Sequence, residues 1–249
     1  MTKQTFNTTS IVLNRVPYGE NDLKVSLLTK DKGRIEVVAR GAKKLKSKLA
    51  AHLEPFTVSD VMIVRGKQRN YAGSAVGNFF YQAVKSDPSK VYYAGAGSAV
   101  MLKNIKENDR DSSEYFQLLR MFLDLLQEKE NDDLLGCKVL HSLFLFKFFQ
   151  IYGCGPNISH CFQCGKKIEP GNNFFNIKES SVFCKGCFRG NTDQYKLTIS
   201  DNCIKIMKLV LDDGLAKGDK VKIDNPRLSL ELSTLAGKFY AYNFGTSKF

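Results

Sequence analysis

The stretch "SIVLNRVPYGENDLKVSLLTKDKGRIEVVARG", residues 10–41, decides the fold. It holds three β-rich runs separated by turns. "TSIVLNRV" (9–16) is β-branched and apolar, "PYGEND" (17–22) breaks it, and "LKVSLLTK" (23–30) follows. The turn "DKG" (31–33) then leads into "RIEVVARG" (34–41). There Ile35, Val37 and Ala39 fall on one side and Arg34, Glu36, Val38 and Arg40 on the other. That two-residue period predicts a half-buried strand. Downstream, "FTVSDVMIVRG" (56–66) and "YAGSAVGNFF" (71–80) supply two more strands. Five short antiparallel strands in about 75 residues fit a small OB-fold β-barrel, whereas a sandwich usually has more strands.

From about Ser86 the period changes to helical. "DSSEYFQLLRMFLDLLQEKE" (111–130) places Phe116, Leu119, Phe122, Leu123 and Leu126 on one stripe, with Ser112 or Ser113 as its cap. "DDLLGCKVLHSLFLFKFFQIYG" (132–153) is apolar almost all round. His141, Lys147 and Gln150 interrupt it, so it reads as the central helix of a bundle and not as a membrane span. "SDNCIKIMKLVLDDG" (200–214) starts a helix near Ser200 with Ile204, Met207 and Val210 or Leu211 inward, and "LSLELSTLAGKFYAYNFG" (228–245) is the last helix. The chain is therefore α+β and multidomain. An OB-fold nucleic-acid-binding domain occupies 1–80 and a helical bundle domain 81–249, with an inserted four-cysteine zinc-binding loop at about 154–192.

Within that loop, Cys161 and Cys164 form one C-x-x-C pair and Cys184 and Cys187 another, with 19 residues between them. Two such knuckles complete a tetrahedron of thiolates, the arrangement that structural zinc takes; an iron–sulfur cluster uses the same ligand type. Four protein ligands leave no open position, which predicts one structural Zn2+ per chain. Gly165 suits the left-handed turn after the first pair. His160 is read as a solvated neighbour, and Cys137, Cys154 and Cys203 as small buried apolar residues. His141 is read as a core residue.

Net charge is +12, and residues 1–80 carry 14 Lys/Arg against 6 Asp/Glu, while residues 81–152 carry 9 against 10. A basic N-terminal module predicts a polyanionic partner, nucleic acid first. Arg40, Lys43, Lys44, Lys46 and Lys48 crowd nine positions, with no acid until Glu54. In an OB-fold such loops rim the face that binds single strands. Lys24, Arg34, Arg65, Lys67 and Arg69 extend the charge, and Tyr71, Phe56 and Tyr18 are candidate stacking residues. No phosphate-binding glycine loop, nucleophile elbow or paired-carboxylate motif is present, so the expectation is a protein that is not an enzyme. "MTKQTFNTTSIVLNR" has no apolar secretory core, and seven cysteines without a secretory signal suit a reducing compartment, where disulfides are not expected. The expected location is cytoplasmic.

These residues carry a resemblance to the RecO family of bacterial recombination mediators. Its recurring features match Tyr18-Gly19-Glu20 with Asp22, Leu27-Leu28-Thr29 with Gly33, Ala39-Arg40-Gly41-Ala42, and Leu53 with Pro55-Phe56. "YGCGPNISHCFQCG" (152–165) and a C-terminal helix ending "YNFGTSKF" (242–249) also fit. The resemblance implies binding to single- and double-stranded DNA, strand annealing, and action with RecR to help RecA load on DNA coated by single-strand-binding protein. It also implies a pocket for the acidic tail of that protein between residues 86–152 and 196–245, and a nucleoid-associated location. The runner-up reading is a zinc-ribbon RNA-binding or transcription-associated OB-fold protein. A nuclease would need acidic metal ligands that the sequence does not offer.

Overall fold

The computed structural model describes residues 4–187, 195–221 and 223–245. Positions 188–192 of the expected insertion and the final residues 246–249 lie outside the described residues. The chain divides into two compact units, Met1–Glu128 and Lys129–Phe249.

The first unit begins with five strands, β1 (Thr5–Tyr18), β2 (Asp22–Thr29), β3 (Gly33–Ala39), β4 (Val58–Arg65) and β5 (Asn70–Phe79). They close into a barrel in the order β1-β2-β3-β5-β4. β1 is longer than its apolar run predicts because it serves two partners. Its first half pairs with β4, from Thr5 opposite Val64 to Ile11 opposite Val58, and its second half pairs with β2, ending at Tyr18 opposite Asp22. A register shift between Val12 and Asn14 marks a bulge, which supplies the bend that carries the strand round the barrel. Within the barrel, a parallel pairing joins β3 to β5 and closes it. Val12, Val25, Leu27, Ile35, Val37, Val61 and Ile63 fill the interior with the two-residue period read from the sequence.

Three helices complete this unit: α1 (Gln82–Ser86), α2 (Pro88–Asn104) and α3 (Ser112–Glu128). α2 and α3 pack on β1 and β2, and α3 also on β3. The compact unit thus runs to Glu128, past the end of the barrel at which sequence periodicity changes. The predicted apolar stripe of α3 is buried: Phe116 at 7% exposure and Leu119, Phe122, Leu123 and Leu126 at 0%. Ser112 does not cap the helix by accepting a hydrogen bond; its hydroxyl donates to the Asp109 carbonyl.

In the second unit α4 (Leu134–Ile151) packs against α5 (Asp201–Asp213), α6 (Leu215–Asp219) and α7 (Pro226–Phe244). Asp133 caps α4 by accepting from Gly136 N at 2.8 Å. Ser200 caps α5, as its position predicts, accepting from Cys203 N at 3.2 Å. By length and composition α4 could cross a membrane. It is instead largely buried, with Phe148 and Phe149 meeting Phe244, and Phe149 also meeting Phe239 and Tyr240, of α7. A small sheet in the order β7-β6-β8, made of Ser181–Phe183, Asn173–Asn176 and Lys196–Ile199, supports the cysteine segment. Cys137 and Cys203 are buried as expected, whereas Cys154 is only half-buried.

Candidate metal centre and nucleic-acid interface

The four cysteines converge. The sulfurs of Cys161, Cys164, Cys184 and Cys187 all lie within 4.8 Å of one another, and Cys164 Sγ is 3.8 Å from Cys184 Sγ. The first knuckle closes through Gly165 N donating to Cys161 O at 2.9 Å, with Gly165 in the left-handed region at φ 69°. A side chain is strained in that conformation, which explains the glycine. The second knuckle closes through Cys187 N donating to Cys184 O at 3.0 Å. β7 ties the two together: Phe162 N donates to Val182 O at 3.0 Å, and Cys184 N points at Cys161 Sγ, 3.4 Å away. His160 is exposed and is not part of the cluster.

The thiols have been brought too close to ionise independently. Burial alone would push the Cys161 thiol up, but backbone N–H groups of Cys184, Cys164 and Gln163 favour its thiolate and hold it at about 6. Cys187 is pushed up to about 12, chiefly by its contact with the Cys164 thiol and also by the charge on Cys161. A cation is what lets all four ionise together. The donor set therefore fits a metal ion held by thiolates alone.

The ten basic residues singled out in the sequence separate into two groups. Lys24 and Arg34 both reach Glu36, at 3.0 and 3.2 Å, and Arg34 Nε also donates to Ile105 O at 3.0 Å. Arg65 pairs with Glu107 at 3.4 Å. The other seven, Arg40, Lys43, Lys44, Lys46, Lys48, Lys67 and Arg69, are exposed and make no ion pair among the described residues. They gather at one end of the barrel. The β1–β2 turn, the β4–β5 hairpin and the root of the long β3–β4 loop meet there: Gly41 N donates to Asp22 Oδ1 at 2.8 Å and Lys43 N to Asn21 O at 2.9 Å.

Two rings in this group carry guanidinium groups. Arg40 lies 4.3 Å from the centroid of Tyr71 and Arg69 5.3 Å from that of Tyr18. Such pairs hold a cation in place while it stays open to solvent. Phe56 does not join them; it is buried at 8% exposure and sits at φ 67° in the turn before β4. The reading of the sequence missed the Arg–Tyr pairings, because each joins residues 31 to 51 positions apart and no local period marks them.

Comparison with known proteins bears on both sites. The family model described as "Recombination protein O N terminal" matches residues 1–73, and that described as "Recombination protein O C terminal" matches residues 85–248. The DNA repair protein RecO of Alkaliphilus metalliredigens is 24% identical, over 93% of this chain and 91% of its own. That of Bacillus pumilus is 28% identical over 92% and 86%, and that of Dehalococcoides mccartyi 27% over 93% and 88%. With a closed five-stranded barrel, a helical second unit and both family models accounting for nearly the whole length, the chain belongs to the recombination protein O family of DNA repair proteins.

Proposed function

We propose that the protein is a non-enzymatic mediator that binds DNA along the open end of the barrel. The observation that carries this is the set of seven exposed cations without carboxylate partners among the described residues, two of them seated on tyrosine rings. Cations of this kind neutralise phosphates on any sequence, and a guanidinium held on a ring, as on exposed Tyr18 and half-buried Tyr71, offers a planar surface beside which bases stack. Lys24, Arg34 and Arg65 are assigned a smaller part, because Glu36 and Glu107 already offset their charge. Neutralising two strands on one protein surface lowers their mutual repulsion, which is what annealing requires.

The reading extends to partners through the family resemblance: RecR, the tail of single-strand-binding protein, and RecA loading through them, in the cytoplasm at the nucleoid. A cavity of about 280 Å³ between β8 and α7 suits an acidic tail with an apolar end. Leu197, Ile199, Leu230 and Leu235 line it together with Arg227 and with Glu231, whose carboxylate is engaged by Ser200 N and Oγ at 2.6 and 2.7 Å. Arg227→Glu should abolish micromolar binding of a tail peptide in low salt; unchanged binding would place the partner elsewhere. For the metal, Zn2+ is favoured over an iron–sulfur cluster. A tetrahedron with Zn–S bonds of about 2.3 Å has edges of about 3.8 Å, the separation seen between Cys164 and Cys184. A cluster would spread the thiolates over separate irons. Bound zinc would cross-link the knuckles and perform no chemistry.

Labelled single-stranded DNA, duplex DNA and RNA, each in two unrelated sequences, titrated at two salt concentrations, test the proposal. DNA binding that ignores sequence, weakens with salt and accompanies strand annealing is expected. Preference for RNA with no annealing would favour the RNA-binding alternative.

A further inference from the structure

The basic loop holds one apolar residue that nothing covers. Both roots of the loop are fixed, because Ala42 is 3% exposed in the barrel core and Leu49 packs against the same core. Between them the backbone is turned by hydrogen bonds from Lys44 N to Gly41 O at 3.1 Å, Ser47 N to Lys44 O at 2.9 Å and Leu49 N to Ser47 Oγ at 3.2 Å. Leu45 sits at the apex, 106% exposed, more than any other large hydrophobic side chain among the described residues. Lys43, Lys44, Lys46 and Lys48, all exposed, flank it in the sequence.

A lone surface leucine is ordinary. This one is distinctive because its immediate sequence neighbours are charged. A protein partner for an apolar side chain would find no apolar surface beside it in the loop. A polyanion drawn in by the lysines would instead bring its bases, its one apolar surface, against Leu45. We propose that Leu45 is a wedge that inserts between adjacent bases of a bound single strand while Lys44 and Lys46 hold the flanking phosphates. Apolar side chains open base steps in this way in architectural DNA-binding proteins. Any base step can admit a leucine, so the wedge keeps binding independent of sequence. Unstacked bases present separated pairing edges to an incoming complementary strand. The wedge rests on the DNA-binding reading above, and its test is chosen to fail separately.

The probe is a single strand with 2-aminopurine in an adenine run, whose fluorescence rises when the base unstacks. The full chain should raise the signal on binding. Leu45→Ser should remove most of the rise and weaken binding roughly 3- to 10-fold, with the salt dependence of affinity unchanged. Leu45→Met should retain the rise. Thermal unfolding of both variants should match the wild type, since the side chain is fully exposed. Salt-dependent binding without a fluorescence rise, or a full rise in Leu45→Ser, overturns the wedge and leaves the DNA-binding reading standing. No salt-dependent binding by the wild type overturns both.

Discussion

Arg40 and Arg34 lie six positions apart in "RIEVVAR", yet they have different roles. Arg34 Nη1 lies 3.2 Å from Glu36 and its Nε donates to Ile105 O, so it braces β3 against the end of α2. Arg40 rests on Tyr71 with its charge open to solvent. Sequence reading names both as basic; it cannot tell them apart, because the partners that separate them come from distant segments. Gly33 makes a sharper case. Its φ is 65°, and a Cβ there would overlap the Lys106 carbonyl oxygen, where the α2–α3 loop binds the start of β3. Gly33→Ala should therefore destabilise the protein by roughly 3 kcal/mol, seen as a lower denaturant midpoint. A loss below about 0.5 kcal/mol would mean that the loop yields freely. His141 sets an acid limit. Burial lowers its pKa from 6.5 to about 4, and its Nε2 is shielded from solvent. The folded state resists the proton that the unfolded chain takes up first. Its contribution is complete above pH 6.5 and is lost as pH falls toward 4, up to roughly 3 kcal/mol. His141→Gln should unfold with a shallower dependence on pH across that window; an unchanged profile would assign acid sensitivity to other groups.

At the scale of elements, the cysteine knuckles were the most legible feature. Ligand chemistry fixes C-x-x-C spacing locally, and Gly165 follows from the left-handed turn that closes the first knuckle. The strands that support the knuckles were not legible. β6, β7 and β8 have three or four residues each, too few to display a period, and they form because they pair with one another. The barrel strands were legible because their inward residues alternate over seven residues or more, and α3 because its stripe repeats over 17. That α2 and α3 pack on the barrel was not, since an apolar stripe does not say which surface covers it. If the knuckles hold a metal, Cys184→Ser should lower zinc from about one per chain to near zero. Hydrogen exchange should rise first in residues 157–187, where backbone bonds such as Phe162 N to Val182 O depend on the closed cluster. Wild-type protein purified without chelators that contains no metal by elemental analysis would remove the metal from the account.

Across the whole molecule, the charge is uneven in a way that serves a polyanion. Residues 1–80 hold 14 Lys/Arg against 6 Asp/Glu, and three of those basic residues, Lys24, Arg34 and Arg65, are set against Glu36 and Glu107. Arg15 and Lys32 likewise pair with Glu54 and Asp31, and seven exposed cations without an ion pair among the described residues lie in the β3–β4 loop and the β4–β5 hairpin, where Arg40 and Arg69 rest on Tyr71 and Tyr18. The central claim is that this loop is the DNA path. Each phosphate contact on a single strand contributes about 0.7 to the slope of log affinity against log salt. The decisive measurement is that slope, for unrelated single-stranded sequences, in the wild type and in a variant with Arg40, Lys43, Lys44, Lys46 and Lys48 all replaced by Ala. The account predicts a slope flatter by roughly 2–3 units, equal losses on every sequence, slower annealing, and unchanged folding and metal content. A variant that keeps the wild-type affinity and slope would show the loop to be solvated surface and contradict the account.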